Sequence, residues 1–367
     1  MKPIFKNITL GSDPEFFIVT MEKGEPVSSI GIIDGVKGKA TPVPELGEGF
    51  GLQIDNVLGE FNIPVCYTPY EAVTHISNMI EYLYTFLEPK GLEPSFGASM
   101  IYPQHELESD EAKQFGCSPD FNAWFDGMIN IPPTAENLQL RSAGCHFHVG
   151  FDEVSDDDAM NLIKAMDLFL GVPFVLIDND TRRRELYGKA GCFRFTSFGV
   201  EYRVLSGMVL SNQILLEFAT NQIMKAIGYL NLNGIERIQK DKNMIISCIN
   251  NGDTDIAREL IEKYNIMVPD EIREQYFYFN DKKKAIFDKK LKVEARDNVG
   301  EEFPVWMHHD FNVVNVDVAQ NRPNVAPAFK ENEEVLERAK RNLDKALEDL
   351  VDAAIKEPDA RAHEEVI

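Results

Sequence analysis

The chain has 367 residues, 44% of them hydrophobic, and a formal net charge of -23 at pH 7. This length and apolar content allow one large domain with insertions, or two smaller ones. The negative charge excludes a protein that coats nucleic acid, because phosphates would be repelled outside a locally basic cleft. Metal cations, by contrast, would be attracted.

Cysteine usage and hydropathy indicate the compartment. The five cysteines form no CxxC pair, and their odd number argues against a disulfide framework or a zinc knuckle. The N-terminus has no long apolar segment, and no run of about eighteen apolar residues occurs anywhere. We therefore expect a cytoplasmic protein with no membrane partner.

The N-terminal third is predicted to consist mainly of strands. Residues 8–20 combine β-branched and aromatic side chains, which predicts one strand with a kink or an edge position at Pro14. The glycine-rich stretch 24–51 predicts turns and short strands, and residues 51–64 predict a strand followed by a loop.

Two amphipathic helices follow. Thr68 is the expected N-cap of the first, with Pro69 at its first position and Glu71 closing a capping box, and apolar residues recur until Gly91. The second is expected to run from Ser155 to Gly171, with three aspartates in its first turn. Each helix has one apolar face, as expected for helices that cover a sheet.

The strand-like segments 94–103, 138–151 and 192–207 are interspersed with these helices without a regular βαβ repeat. This pattern predicts an α+β fold, with a mainly antiparallel sheet platform and covering helices. The sequence contains neither a Gly-x-Gly-x-x-Gly motif nor a Walker loop, so any bound ATP would need another phosphate site.

Three regions are predicted along the chain: a catalytic core over 1–233, a mixed, helix-rich extension over 234–330, and a C-terminal amphipathic helix with a tail over 331–367. The last helix is expected over about 332–357, with an apolar stripe and i,i+4 ion pairs. Packing of this helix on its own domain is the favoured interpretation, and homo-oligomerisation is the alternative.

Two acidic segments are candidate metal sites. Asp13 and Glu15 are two residues apart on a predicted strand, so both carboxylates would face one side. Asp55 and Glu60 lie among apolar residues, so each must be exposed at a strand edge, paired with a cation or bound to a metal. A solvent-facing acidic pair and a loop position are the respective structural alternatives.

The segment 144–150, Gly-Cys-His-Phe-His-Val-Gly, is the most specific motif. If it forms a strand, His146 and His148 share one face, while Cys145, Phe147 and Val149 share the other. Two adjacent imidazoles suit a metal or a phosphate chain, whereas a single histidine is more often structural.

The fourth segment is basic. Arg182, Arg183 and Arg184 precede Lys189, and Glu201 and Arg203 share a strand face further on. In so acidic a chain, an arginine cluster is where an anionic substrate would be drawn in. A Glu-x-Arg pair can supply a metal ligand and a phosphate fork, although it is also common as a ladder pair on a solvated sheet.

The order of these motifs resembles the glutamine synthetase and glutamate-cysteine ligase superfamily over about residues 8–210, and most closely its phage-encoded carboxylate-amine ligases. The resemblance implies a glutamine synthetase-like catalytic domain. It also implies an ATP-dependent ligase that forms an acyl phosphate with two or three Mg²⁺ or Mn²⁺ ions. Small-molecule or peptide carboxylates and amines would be the substrates, in the host cytoplasm if the gene is phage-encoded.

The resemblance also implies residue roles. Asp13 replaces the usual first glutamate and reaches one methylene less far. The implied metal ligands are Asp13, Glu15, Asp55, Glu60, His146 and Glu201. The implied ATP-binding residues are His148 and Arg203, to which the basic segment adds Arg184 and Lys189. The expected catalytic residues are Arg203 and Glu60, together with Arg183 from the basic segment.

Three other functions remain open at this point. A phosphagen-type kinase could use the same architecture, although the His-x-His pair and the number of acids speak against it. A metal-dependent hydrolase could use the same ligands without ATP. A non-catalytic phage or scaffold protein could use the acidic surface and terminal helix for assembly.

Overall fold

The protein combines antiparallel sheets with covering helices. A computed structural model describes residues 3–113, 120–130 and 138–277. Its strands are β1 Thr9–Ser12, β2 Glu15–Thr20, β3 Pro26–Val27, β4 Thr41–Pro42, β5 Gly51–Asp55, β6 Leu58–Asn62, β7 Leu92–Ser95, β8 Ser99–Ile101, β9 Phe121–Asn122, β10 Met128–Ile129, β11 Leu140–Ser142, β12 Phe147–Gly150, β13 Cys192–Thr196 and β14 Gly199–Tyr202. The mixed α and β composition predicted from the sequence is confirmed.

Within the described residues, one sheet has the order β1-β12-β14-β13-β9-β10, and another has the order β3-β2-β6-β5-β4, with β7 also paired to β2. Strands β8 and β11 form a separate pair. All the pairings between these strands are antiparallel. This is the expected arrangement when strands are joined by hairpins and short connections.

Residues 8–20 do not form the single kinked strand predicted from the sequence. β1 ends at Ser12 in the first sheet, and β2 begins at Glu15 in the second. Pro14 lies at the crossing, where its lack of an N–H cannot interrupt a ladder. Its carbonyl accepts a hydrogen bond from the N–H of Phe61, at 3.1 Å. The two sheets therefore adjoin at residues 13 and 14.

The helices pack around α6, which contacts both α1 and α3. Most of the apolar core lies between these helices and the sheets. The α-helices are α1 Pro69–Leu87, α2 Asp110–Lys113, α3 Asp156–Met166, α4 Val172–Val175, α5 Arg182–Leu186, α6 Gln213–Asn233, α7 Glu236–Lys240, α8 Lys242–Asn251, α9 Thr254–Lys263 and α10 Asp270–Ile272. No helix in the described ranges has both the length and the apolar character that a bilayer crossing needs.

The start of α1 agrees with the sequence. The Thr68 hydroxyl accepts a hydrogen bond from the N–H of Glu71, at 3.1 Å, and Pro69 is the first helical residue. The Glu71 carboxylate accepts a hydrogen bond from the N–H of Tyr67, at 2.6 Å. Tyr67 lies one residue before the position that a standard capping box would use. A 3₁₀ turn then leads to Gly91, whose φ of 71° closes the helix.

The second helix does not end at Gly171 as the sequence predicts. α3 gives way at Asp167 to a π-helical turn, Asp167–Gly171, which continues directly into α4. An inserted residue makes a π turn without breaking the helix, so the glycine is not a terminus. The predicted helix over 332–357, and the extension beyond residue 277, lie outside the described residues.

Candidate active site

Asp13, His148 and Glu201 form a group of potential metal ligands, with one ligand atom from each lying within 4.8 Å of the others. They come from the β1–β2 crossing, β12 and β14. His148 lies directly opposite Glu201 in the sheet register. His148 Nε2 is 3.1 Å from Asp13 Oδ1. The strand pairing itself therefore brings these side chains together.

Oppositely charged partners govern ionisation in this group. Burial would raise the pKa of the Asp13 carboxyl, but the charge of His148 and hydrogen bonds from His146 and His148 lower it. Burial would lower the pKa of His148, and Asp13 raises it above its ordinary value instead. The neighbouring Arg203 guanidinium lowers the pKa of Glu201 against the opposing effect of burial. Ionised carboxylates are therefore favoured here.

His146 and Arg203 lie beside this group. His146 Nδ1 is 3.4 Å from Asp13 Oδ1 and 3.6 Å from Glu201 Oε1. Arg203 pairs with Glu201, and its Nη1 is 3.4 Å from His146 Nδ1. Arg203 Nε also lies 3.8 Å from a carboxylate oxygen of Asp120. The guanidinium is thus held among two acids and an imidazole.

The two histidines share one face, as the sequence predicts. Both imidazoles approach the same oxygen of Asp13. On the other face, Cys145, Phe147 and Val149 are buried in the main core. The regular strand begins only at Phe147, but the alternation extends back through the residues that precede it.

A second group of potential metal ligands consists of Glu15, Asp55 and Glu60, again with one ligand atom from each within 4.8 Å of the others. Glu15 on β2 is opposite Glu60 on β6, and Glu60 is opposite Gln53 on β5. Gln53 Nε2 donates a hydrogen bond to Glu60 Oε1, at 2.5 Å. Asp55, two residues beyond Gln53, faces the same side.

In this second group, the carboxylates lie close to one another and repel each other when ionised. Burial and the charges of Asp13, Asp55 and Glu15 raise the pKa of Glu60 well above its ordinary value. Burial and the charge of Glu15 likewise raise the pKa of Asp55, although Lys37 opposes the shift. Lys37 Nζ is 2.6 Å from Asp55 Oδ1. Crowded carboxylates of this kind favour a bound cation.

The two groups adjoin at the crossing between the sheets. The Glu15 carboxylate accepts a hydrogen bond from the N–H of Gly144, at 2.6 Å, and the N–H of Glu15 donates to the carbonyl of Gly144, at 2.8 Å. Gly144 precedes the segment that carries both histidines. An added Cβ at Gly144 would lie 2.4 Å from His146 Nε2 and 2.8 Å from Arg183 Nη2. Glycine at this position therefore leaves room for both side chains.

A cleft opens between acidic and basic side chains. Arg141, Arg183 and Arg203 are each at most 5% exposed. Arg183 Nη2 donates to the carbonyl of Arg203, at 3.3 Å. The residues lining the cleft include Glu15, Asp55, Asn56, Asp120, Arg141, His146, Arg183, Tyr187 and Arg203.

The structure brings most of the predicted site residues together, but not all. Arg184 lines a separate, smaller cavity with Asp178 and Ser206, and Lys189 is exposed. Neither lies among the residues that line the cleft. Both belong to the basic segment, but the short helix α5 turns Arg183 towards the cleft and Arg184 away from it.

One predicted arrangement needs correction. The sequence predicts that Asp13 and Glu15 share a site because both lie on one strand, but the strand breaks between them and each joins a different ligand group. The roles that the resemblance implies for the histidines, metal for His146 and nucleotide for His148, stay predictions. The imidazole within the ligand group is that of His148, and His146 Nδ1 lies beside it.

Sequence reasoning missed several residues near these groups. Arg194 lies opposite Glu201 on β13, and its Nη1 is 3.7 Å from Glu201 Oε2. Asp120 approaches Arg203, and Arg141 lines the cleft. The position of Arg194 between two aromatic residues, in the segment Phe193-Arg194-Phe195, is a pattern that could have identified it from the sequence. Asp120 and Arg141 carry no such local pattern.

Residues 134–283 match the model of a family described as phage phiEco32-like COOH.NH2 ligase-type 2. The match agrees with the predicted enzyme class, a carbon–nitrogen ligase. It likewise confirms the resemblance to the phage-type carboxylate-amine ligases. The matched residues include His146, His148, Arg183, Glu201 and Arg203. The second ligand group and Asp13 lie outside the matched range.

Among solved structures, a bifunctional glutathione synthetase from Pasteurella multocida is similar over 79% of this chain, with 10% sequence identity and a TM-score of 0.36. The similarity spans about half of that protein, 52% of its chain. A likeness of this strength carries no information on activity. None of the curated proteins matches the chain.

Proposed function

We propose that this chain joins a carboxylate to an amine at the expense of ATP, through an acyl phosphate and with two or three Mg²⁺ or Mn²⁺ ions, in a glutamine synthetase-like catalytic domain. The observation that carries the proposal is the pair of ligand groups, Asp13/His148/Glu201 and Glu15/Asp55/Glu60, which adjoin at the crossing between two sheets. The family match over residues 134–283 supports the reaction class.

The donor atoms fit divalent cations. Five of the six potential ligands are carboxylates, the hard oxygen donors that Mg²⁺ and Mn²⁺ prefer. The raised pKa of Glu60 has its cause in burial and in neighbouring carboxylates, and a cation would relieve this repulsion. When bound, the ions would neutralise charge on the β and γ phosphates during phosphoryl transfer.

The basic residues of the cleft have roles that follow from their positions. Arg203 would stabilise charge on the transferring phosphoryl group, because its guanidinium reaches the first ligand group and the cleft together. Arg183 would hold the anionic substrate at the same end of the cleft. His146, between Asp13 and Arg203, would orient both. Exclusion of water from the cleft when substrates are bound would favour attack by the amine over hydrolysis.

Hydroxylamine offers a direct test. It is a small amine that traps acyl phosphates as hydroxamates, so the full chain would be incubated with Mg·ATP, hydroxylamine and pooled carboxylic acids. We expect hydroxamate and inorganic phosphate in equal amounts, both dependent on ATP. Glu60→Gln protein serves as the control for contaminating activity. Phosphate release without a new carbon–nitrogen product, or product without ATP, would contradict the proposal.

A further inference from the structure

A buried carboxylate lies behind the sheet that carries the first ligand group. Asp167 is fully buried. Its Oδ2 accepts a hydrogen bond from Trp124 Nε1, at 2.6 Å, and its Oδ1 accepts one from the Tyr202 hydroxyl, at 2.9 Å. The backbone N–H of Gly191 donates to the same carboxylate. One side chain thus joins three separate segments of the chain.

Each of these segments leads directly to the candidate site. Tyr202 is the last residue of β14 and stands between Glu201 and Arg203. Its ring is buried in the core, while Glu201 belongs to the first ligand group and Arg203 lines the cleft. Trp124 lies four residues after Asp120, whose carboxylate approaches Arg203. Gly191 immediately precedes β13, which carries Arg194.

Two glycines leave room for the side chains that donate hydrogen bonds to Asp167. A Cβ at Gly171 would lie 2.7 Å from the Tyr202 hydroxyl oxygen. A Cβ at Gly191 would lie 2.7 Å from Trp124 Cδ1, and Gly191 has a φ of 78° that disfavours other residues. Asp167 and Gly171 are also the first and last residues of the π turn. Such turns are often found at functional sites.

Keeping this carboxylate in the core is costly. Burial raises the pKa of Asp167 to about 7, and the hydrogen bonds from Trp124 and Tyr202 compensate only in part. An apolar side chain of similar size would pack in a core at lower cost. The three converging donors give the carboxylate a role that an apolar residue could not fill.

We propose that Asp167 is a positioning residue, which fixes β14 and the Asp120–Trp124 turn against each other and so sets the geometry of Glu201 in the first ligand group and of Arg203 and Asp120 in the cleft. The proposal rests on the proposed function, since it assigns these three residues to the ligase site. Asp167 itself does not line the cleft. It acts through Tyr202 and Trp124.

The test compares Asp167→Asn with Asp241→Asn in the full chain. Asp241 is also buried and accepts a hydrogen bond from a tyrosine hydroxyl, that of Tyr264, at 2.7 Å, but it does not line the cleft. Both variants should melt at lower temperature. We expect only Asp167→Asn to lower kcat in the hydroxamate assay and weaken Mn²⁺ binding, measured by electron paramagnetic resonance, by roughly 10- to 100-fold.

A double-mutant cycle separates positioning from general destabilisation. If Asp167 acts through Arg203, the loss caused by Asp167→Asn should largely disappear in an Arg203→Lys background, because the effects of coupled residues do not add. Trp124→Phe, which removes one donor, is the second variant should Asp167→Asn fail to fold. Tyr264→Phe is its matched control.

Four results would be decisive. Equal effects of Asp167→Asn and Asp241→Asn on kcat and on Mn²⁺ affinity would overturn the positioning role, as would full additivity with Arg203→Lys. Wild-type protein that binds Mn²⁺ but forms no hydroxamate would contradict the proposed function, while the Mn²⁺ comparison would still decide the role of Asp167. Wild-type protein that does neither would overturn both.

Discussion

The two ligand groups differ in how their charge is balanced. In the first, Asp13 and Glu201 lie against two imidazoles and a guanidinium, and their pKa values are lowered. In the second, Asp55 and Glu60 lie mainly against other acids, and their pKa values are raised. Similar groups of carboxylates can therefore be compensated by neighbouring cationic side chains, as in the first group, or depend on a bound cation, as in the second.

The largest expected effect comes from removing one acid of each group. Asp13→Asn and Glu60→Gln should each lower turnover on the order of 100-fold, because each removes a proposed ligand. Their effects on the metal-free protein should have opposite signs. Asp13→Asn loses contacts to His146 and His148 and should destabilise, whereas Glu60→Gln relieves repulsion and should stabilise, each by about 1 kcal/mol.

Thermal melting in EDTA and rates of hydroxamate formation would measure these two effects. Gln53→Ala is a useful companion, since Gln53 donates to Glu60 but is not a proposed ligand. If both acid variants change the metal-free stability in the same direction, the contrast between the groups is wrong.

Arg203→Lys should lower turnover by roughly 100-fold while changing the melting temperature little. Lysine keeps the charge but loses the planar fork that contacts Glu201, His146 and Asp120 together. Steady-state rates and melting curves would check this. Arg182→Lys is the matched control, because Arg182 pairs with the neighbouring Asp180. Full activity of Arg203→Lys would remove the residue from the proposed mechanism.

Substitutions of His146 and His148 should affect different steps, turnover and metal binding respectively. His148→Ala should weaken Mn²⁺ binding by about 10-fold, because His148 belongs to the first ligand group. His146→Ala should have the smaller effect on Mn²⁺ and the larger one on kcat, because it contacts Arg203 and lines the cleft. Calorimetric titration of Mn²⁺ into both variants decides between the roles. The reverse ranking would restore the assignment made from sequence.

Lys37→Met tests the second ligand group without removing a proposed ligand. The Lys37 ammonium is a cation already placed on Asp55, so removing it should strengthen Mn²⁺ binding by a few-fold at low ionic strength. Lys39→Met, nearby in the sequence, controls for the change in net charge. Weaker binding in Lys37→Met alone would mean that Lys37 supports the site instead of competing for it.

The smallest expected effect is a pH dependence of the metal-free protein. The lowered pKa of Asp13 gives stability that is present above its ordinary value of 3.8 and lost as pH falls. The raised pKa of His148 gives stability that is present below 6.5 and lost as pH rises through the folded value. The melting-temperature gap between wild type and His148→Gln should therefore be widest between about pH 4 and 6.5.

Binding of Mn²⁺ should have the opposite pH dependence to the stability that His148 contributes. Ligation requires a neutral imidazole, so Mn²⁺ affinity should rise with pH through the raised pKa of His148. A melting-temperature difference that does not change with pH in EDTA, together with pH-independent Mn²⁺ binding, would show that the Asp13–His148 pair does not control the site.

The sequence by itself determined the features that depend on local chemistry. Thr68 and Pro69 fixed the start of α1, because a side-chain acceptor and a missing N–H suit a helix terminus. Alternation fixed the common face of His146 and His148, because successive side chains of an extended chain point to opposite sides. The order of the motifs was sufficient to indicate the ligase family later matched over residues 134–283.

Tertiary structure alone decided which residues meet. The break at Pro14, which sends Asp13 and Glu15 to different groups, depends on how two sheets adjoin, and no local pattern specifies that contact. The register of β12, β14 and β13 brought in Arg194. The direction of the short helix α5 separated Arg183 from Arg184. Asp167 had no signal in the sequence because its three donors lie 24 or more residues away along the chain. Pairings at such separations arise from packing of the whole core, which local propensities do not encode.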